Sequence, residues 1–315
     1  MVGIDIGFGD VKAVTDEVRI KFPTAVAYAK KGIADIGEEE EYEFLGRKYF
    51  LGERALFSLD VFPTREVEFL LKYAPLLLYR SLKWLDSPTP AEQIAIGLPL
   101  AYHHRRFEFE KVIRRVIVNG EILEHQRVEV FPQGVGILLD YRLNHEGEEL
   151  EETRENLLIL DIGFNTVDVV VAEKGRAIRD ECGMLERAGV SRICQELSSY
   201  LQRETTINLT EQEAKDVLLE RKLKVYGQEK ELSETIRTLT ENYMDWIFQN
   251  LKSRWGERLK RVDRLIIAGG GAYYVGEYLP EIYEAQTLIP ELPEFANARG
   301  FLKGMKLKIR QEAKE

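Results

Sequence analysis

The feature that most limits what this chain can become is an internal repeat. Residues 3–14, GIDIGFGDVKAV, return at 159–170 as ILDIGFNTVDVV, with six of twelve positions identical: Asp5/Asp161, Ile6/Ile162, Gly7/Gly163, Phe8/Phe164, Val11/Val167 and Val14/Val170. Each copy reads as an apolar strand ending in an acid, a glycine-bearing turn, and a second apolar strand, which is a β-hairpin. The copies lie about half a chain apart, so the sequence predicts two related units, each opening with this hairpin. Length agrees, since 315 residues at roughly 150 per domain make about two domains.

The rest of the chain alternates strand-like and helix-like runs in the α/β manner. Strands are expected at 2–7, 11–15, 18–22, 94–98, 127–131, 157–162, 167–173 and 264–268. Helices are expected at 65–85, 103–117, 134–143, 189–203, 211–221 and 233–259. Residues 144–155 hold six Glu and few apolar residues, which reads as a solvated connection and places the domain boundary there. The first domain is expected over 1–148, with a small insertion at about 33–62 that includes a short hairpin at 44–52. The second is expected over 149–295, with a helical insertion at about 210–240, and a C-terminal helix at about 296–315 completes the first.

Charge and cysteine content exclude several classes. With 44 Lys and Arg against 54 Asp and Glu, the net charge of −10 lacks the basic footprint of direct nucleic-acid binding. Only Cys182 and Cys194 are present, and the four histidines stand at no zinc spacing from them, so neither a disulfide framework nor a zinc site is expected. A reducing, cytoplasmic setting fits. No apolar run reaches the ~18 residues of a membrane span, and the chain opens directly into a strand, so neither secretion nor membrane integration is expected.

A turn that holds a polyphosphate needs small residues for close approach of backbone N–H groups and nearby carboxylates to control a divalent cation. Both copies meet that need. Gly7, Gly9 and Lys12 serve the first, Gly163, Asn165 and Thr166 the second, and Asp5 and Asp161 take the last inward position of each strand, where two facing carboxylates can hold the water shell of Mg²⁺. A single Asp-Ile-Gly turn could be no more than a hairpin turn, but two in register argue against coincidence. A third glycine cluster, Gly269-Gly270-Gly271, follows the apolar run 265–268. It suits a close pass by a flat ligand or phosphate, although a tight strand-to-helix turn explains it as well. It is neither a Walker loop nor a Rossmann fingerprint.

In this order, IDIGFGDVK (4–12), VFPQGVGILLD (130–140), LDIGFNTVDVVV (160–171), LIIAGGGAYYV (265–275) and EFANARGFLKG (294–304) resemble the five-motif signature of the actin, hexokinase and DnaK-chaperone superfamily. Within it, residues 46–53 and 295–301 are most similar to prokaryotic actin-like proteins of the ParM/StbA plasmid-segregation type and their archaeal relatives. The resemblance implies two related RNase H-like lobes with nucleotide in the cleft between them. It further implies an ATPase whose hydrolysis is coupled to head-to-tail filament formation, with Mg²⁺ and ATP as ligands and GTP as the alternative.

Residue by residue, Asp5 and Asp161 match the magnesium- and water-organising acids, the metal being held through water. Gly7, Phe8, Gly9, Lys12, Gly163, Asn165 and Thr166 match the phosphate loops, Gln133 the residue that positions the attacking water, and Gly269, Gly270 and Gly271 the loop against the adenosine. Glu213 and Lys215 are assigned to the adenine-gripping helix. Asp10 departs from the family pattern, because an acid facing phosphates repels them unless it turns outward or contacts metal. Asp168 is placed behind the other acids.

Phosphoryl transfer to water asks mainly for positioning and charge neutralisation, so Gln133, Asp5 and Asp161 suffice without a covalent nucleophile. Gln133 could instead cap the helix at 134–143. The basic run 103–106 reads as a solvated helix face, the cysteines as small buried residues, and 305–310 as a fraying end in preference to a membrane contact. A DNA-binding adaptor would link such a filament to DNA segregation or intracellular positioning. A small-molecule kinase of the same superfamily and a membrane-associated scaffold of the FtsA or MreB kind are the alternatives. A DnaK-like chaperone is not expected, since the sequence stops just past the fifth motif.

Overall fold

The computed structural model describes residues 1–30, 40–64, 66–85, 93–150 and 155–314. The chain divides into two compact units, one comprising Met1–Thr153 with Phe295–Glu315 and the other Arg154–Glu294.

The first unit contains β1 (Val2–Ile6), β2 (Asp10–Val14), β3 (Arg19–Pro23), β4 (Val26–Tyr28), β5 (Tyr42–Phe44), β6 (Arg47–Leu51), α1 (Glu53–Leu56), α2 (Val67–Trp84), β7 (Gln93–Leu98), α3 (Arg106–Arg114), β8 (Arg115–Val118), β9 (Glu121–Glu124), β10 (Arg127–Pro132) and α4 (Val135–Arg142). Its main sheet has the order β10-β7-β1-β2-β3, antiparallel from β1 to β3 and parallel across β1, β7 and β10. All five residues of β1 and of β2 are buried, because helices cover both faces of the sheet. Val2, Ile4 and Ile6 join the core formed with α2 and α3. By strand alternation, Gly3 and Asp5 face the other side, where the C-terminal helix, Ala296–Glu312, lies.

That helix approaches so closely that side chains have to be missing. A Cβ on Gly300 would overlap the carbonyl oxygen of Gly136 in α4, and a Cβ on Gly3 would overlap the carbonyl oxygen of Ala298. Phe301 fills the remaining space against Phe131, with ring centroids 5.7 Å apart. Arg299 and Lys303 both pair with Asp140, at 2.6 and 2.7 Å.

The second unit holds β11 (Leu157–Ile162), β12 (Val167–Glu173), β13 (Arg176–Ala177), β14 (Gly183–Leu185), α5 (Ser191–Thr205), α6 (Glu211–Glu220), β15 (Lys222–Val225), β16 (Gln228–Glu231), α7 (Ser233–Leu259), β17 (Arg264–Ala268), α8 (Ala272–Val275), α9 (Glu281–Glu284) and β18 (Thr287–Leu288). Its sheet repeats the plan of the first. β11 pairs antiparallel with β12 and parallel with β17, which in turn pairs with β18. The edge that β3 occupies in the first unit is divided here between β13 and β14, both on β12. The chain is thus α/β, with two related RNase H-like lobes.

Several expectations need correction. The helix expected over 103–117 ends at Arg114, and 115–124 form a hairpin. The β-branched run Val116-Ile117-Val118 followed by Asn119-Gly120, both at positive φ, specifies a two-residue hairpin turn that outweighs the helical periodicity. The insertion at 210–240 is likewise only partly helical, since β15 and β16 pair around Tyr226-Gly227, again both at positive φ. Residues 144–150 are mostly exposed, as a solvated connection should be, and are held by local bonds. Asn144 Oδ1 accepts from the amides of Glu146 and Glu148, and Gly147 lies against the C-terminal helix. Of that stretch, 151–154 lie outside the described residues, as do 33–39 of the expected first insertion and the start, residue 65, of the expected helix at 65–85. The C-terminal helix does not fray at 305–310, for Met305 is fully buried and Lys306 binds Asp16 at 2.5 Å and the carbonyl of His145 at 2.8 Å. Cys194 is buried as expected, whereas Cys182 is partly exposed, with its thiol donating to the Ile178 carbonyl.

Gly300→Ala should destabilise the protein by about 2–3 kcal/mol, because two backbones would have to part. Gly256→Ala, where an added Cβ meets nothing, should stay within about 0.5 kcal/mol. Urea denaturation of both variants checks the contrast.

Candidate functional site

The first hairpin loop is held from behind by its carbonyls. Gly7 O accepts the Thr24 hydroxyl at 2.7 Å, Phe8 O the Thr64 hydroxyl at 3.0 Å, and Gly9 O the Thr24 amide at 3.0 Å. The Gly7 amide closes the turn on Asp10 O at 3.2 Å, which also accepts from Lys12 Nζ. A loop anchored through its carbonyls directs its amides to the opposite side, the geometry of an anion-binding nest. Phe8 packs its ring on the core, so its contribution to such a nest is its backbone. Asp10 does not turn outward. It opens β2 and is buried.

Asp5 stands across from Lys12 in the hairpin register. It is buried, and burial pushes its carboxyl above the usual carboxylate range, opposed by the charge of Lys12 and a hydrogen bond from Gln133. Gln133 Nε2 donates to Asp5 Oδ1 at 2.7 Å and lies 3.4 Å from Ile6 O. Gly97, whose missing side chain leaves room for Gln133 and Phe301, makes that approach possible. Gln133 does not cap α4. The cap position is Gly134, at φ 78, whose amide is taken by Asn297 Oδ1 at 2.9 Å.

The second loop is built the same way from different donors. Gly163 O, Phe164 O and Asn165 O accept the amides of Val190, Ser191 and Gly189, at 3.1, 2.8 and 3.2 Å. These three carbonyls correspond in the repeat to those of Gly7, Phe8 and Gly9, and the donors include the first amide of α5, which a helix leaves unsatisfied. The Gly163 amide closes the turn on Thr166 O at 2.9 Å. Gly189 admits no Cβ, which would overlap the Phe164 carbonyl.

Asp161 faces Asp168 in register, both buried, so the second copy carries a carboxylate where the first carries Lys12. The backbone packing also brings the third glycine cluster to Asp161. A Cβ on Gly269, at φ +82, would lie 2.5 Å from Asp161 Oδ1, and a Cβ on Gly271 would overlap Ile162. These two glycines serve close packing on β11, while Gly270 has open space around it. On α6, Lys215 Nζ lies 5.8 Å from the centre of the Phe164 ring and so reaches the second loop. Glu213 is occupied elsewhere, in a capping box in which Thr210 N donates to its carboxylate at 2.7 Å.

Thr24, Thr64, Gly189 and Asn297 were not singled out from sequence. Asn297 lies inside the quoted run 294–304, and Gly189 opens the helix expected at 189–203. The two threonines carry no signal until the loop carbonyls are in view.

Fold and loops together define an actin-like ATPase fold. Residues 3–136 match the family model for the N-terminal domain of actin-like proteins, and 159–281 match the C-terminal model of the archaeal actin homologue MreB-like family. Over 96% of its length the chain is 25% identical to an archaeal actin homologue of Thermoplasma volcanium, covering 97% of that protein. It is similar to the crystal structure of an archaeal actin homologue in complex with ADP, with a TM-score of 0.80, 23% identity and coverage of 97% of this chain and 98% of that one. It is also similar to a ParM filament structure from Clostridium botulinum, with a TM-score of 0.75, 20% identity and coverage of 96% and 97%.

The burial of Asp5 makes a prediction of definite sign. A folded-state value above the unfolded one means that the ionised carboxylate opposes folding at neutral pH and ceases to do so as pH falls below its ordinary value. Asp5→Asn keeps an acceptor for Gln133 and removes that charge. Without nucleotide, its melting temperature at pH 8 should equal or exceed that of the unaltered chain, with the difference narrowing on acidification. Melting curves across pH check this.

Proposed function

We propose that the chain binds Mg-ATP, with GTP as the alternative nucleotide, hydrolyses it, and couples nucleotide state to head-to-tail assembly of filaments. The observation that carries this reading is the duplicated loop, in which the same three carbonyls are tied back in both copies and a buried carboxylate takes the last position but one of the strand before each. The similarity to an ADP-bound archaeal actin homologue and to a ParM filament supports it.

The residues fit a hydrated divalent cation, because a buried carboxylate whose ionisation is opposed by burial gains from a nearby cation. Asp5 and Asp161 would hold Mg²⁺ through its water, and the ion would neutralise charge on the phosphates. The amides of Phe8, Gly9, Phe164 and Asn165 stabilise phosphate oxygens. Lys12 adds a point charge at the first loop and Lys215 at the second. Gln133, its amide nitrogen committed to Asp5, presents Oε1 to a water and orients it for attack. Assembly follows if the subunit contact recognises one nucleotide state, which takes a few kcal/mol per subunit, and heterologous contacts that do not close into rings give filaments. A DNA-binding adaptor would place such filaments in DNA segregation or positioning.

Calorimetry at micromolar protein should show nucleotide binding that requires Mg²⁺, and no binding of ATP, ADP or GTP would end the proposal. Gln133→Ala should slow hydrolysis by roughly one to three orders of magnitude with little change in binding; unchanged turnover would remove Gln133 from the mechanism. Asp161→Ala should bind ATP more weakly, hydrolyse it poorly and form polymers that outlast those of the unaltered chain, as followed by light scattering and electron microscopy. A chain that stays monomeric with nucleotide while phosphorylating a soluble acceptor would be a kinase instead.

A further inference from the structure

The threonines that hold the first loop stand at the two ends of the insertion. The chain enters the insertion from β3 through Thr24 and leaves it through Thr64 on the way to α2. Between these points β4, β6 and β5 form a separate three-stranded sheet. The two stalks are tied to each other, with Ala27 bridging to Val61 and the Phe62 amide donating to Val26 O at 2.9 Å. The Gly52 amide ties the end of β6 to Ala25 O at the same distance. Both stalks then reach back to the loop through hydroxyls, Thr24 to Gly7 O at 2.7 Å and Thr64 to Phe8 O at 3.0 Å.

Among the described residues, the second copy has no such arrangement. There the corresponding carbonyls are filled by consecutive backbone amides at 189–191, beside the start of α5 and within the same core. Among the described residues, only in the first copy does a sheet hydrogen-bonded apart from the main one hold the loop, although its Val26, Tyr49 and Leu51 share the core of β1, and only there do side-chain hydroxyls supply the hold. Beside the backbone bond from the Thr24 amide to Gly9 O, tension on Gly7 or Phe8 therefore passes to the insertion through two hydroxyl bonds that substitution can remove singly without changing the backbone.

We infer that Thr24 and Thr64 are positioning residues, a two-point clasp that transmits the occupancy of the loop 7–10 to the insertion sheet. The inference rests on the nucleotide-binding reading above and adds how the bound state is passed on. When phosphate draws the loop amides forward, the carbonyls behind them move with the same peptide planes, and the clasp shifts both stalks together. The ordering of the insertion then depends on nucleotide, although no residue of the insertion touches it in this account.

The test is hydrogen exchange by mass spectrometry on the full chain, with and without Mg-ADP, for the unaltered protein, Thr64→Val and Thr64→Ser. Valine keeps the shape and loses the hydroxyl, whereas serine keeps the hydroxyl. In the unaltered chain Mg-ADP should slow exchange at residues 7–14 and in β4, β5 and β6. In Thr64→Val the loop should remain protected, the nucleotide-dependent protection of the insertion should fall at least about threefold, and Mg-ADP should bind roughly 2–10-fold more weakly, the range of one lost hydrogen bond. Thr64→Ser should restore both. Should Thr64→Val fail to fold, Thr24→Val makes the same comparison from the other stalk. Equal insertion protection in the valine variant and the unaltered chain would overturn the clasp while leaving nucleotide binding standing, and so would loss in Thr64→Ser as large as in Thr64→Val. Absence of loop protection in the unaltered chain would overturn the clasp together with the nucleotide reading.

Discussion

A tight hairpin loop can present amides to an anion only if its carbonyls are satisfied somewhere else, and that constraint shapes both units of this protein. Left alone, the loop carbonyls would compete for the amides or face a phosphate they repel. In the first unit, threonines bordering the insertion and the amide of one of them take up the carbonyls of Gly7, Phe8 and Gly9. In the second, the backbone entering α5 takes up those of Gly163, Phe164 and Asn165. The same electrostatic requirement has been met twice with unrelated donors, which is stronger support for an anion-binding role than the repeated glycines alone.

A second constraint is burial at the strand ends. Asp5 and Asp161 sit where a fully covered strand runs into the loop, so their carboxylates need partners. Gln133 and Lys12 supply them for Asp5. Gln133 in turn is placed by Gly97 and by the close packing of α4 on the C-terminal helix, which needs Gly136 and Gly300. A residue more than a hundred positions away in sequence thus reaches Asp5 because β10 pairs with β7, next to β1, and because the Gln133 amide is fixed on Leu98 O.

Much of this is legible in the sequence. The repeat anticipated two related sheets, and all eight expected strands are present, while the short edge strands β13, β14 and β18 of the second sheet were not expected. The misses have local causes. Residues 115–118 and 222–225 lie next to helical periodicity and were absorbed into it, although Asn119-Gly120 and Tyr226-Gly227 each mark a two-residue turn. At the site, the acids and glycines announced themselves by recurring, and Gln133 by its motif. Thr24 and Thr64 could not, because a hydroxyl donating to a loop carbonyl 17 or 56 residues away leaves no periodic trace. Glu213 shows the opposite case, a plausible acid whose carboxylate is engaged in holding its own helix start.

The central claim is that both loops turn their amides to the same class of ligand. Amide chemical shifts of an isotopically labelled chain, followed by NMR as Mg-ADP is added, test it most directly. The account predicts that the amides of Phe8 and Gly9 and those of Phe164 and Asn165 move together, with one apparent Kd and only when Mg²⁺ is present. Shifts confined to one loop, or amides in both that stay fixed while nucleotide binds elsewhere, would contradict it.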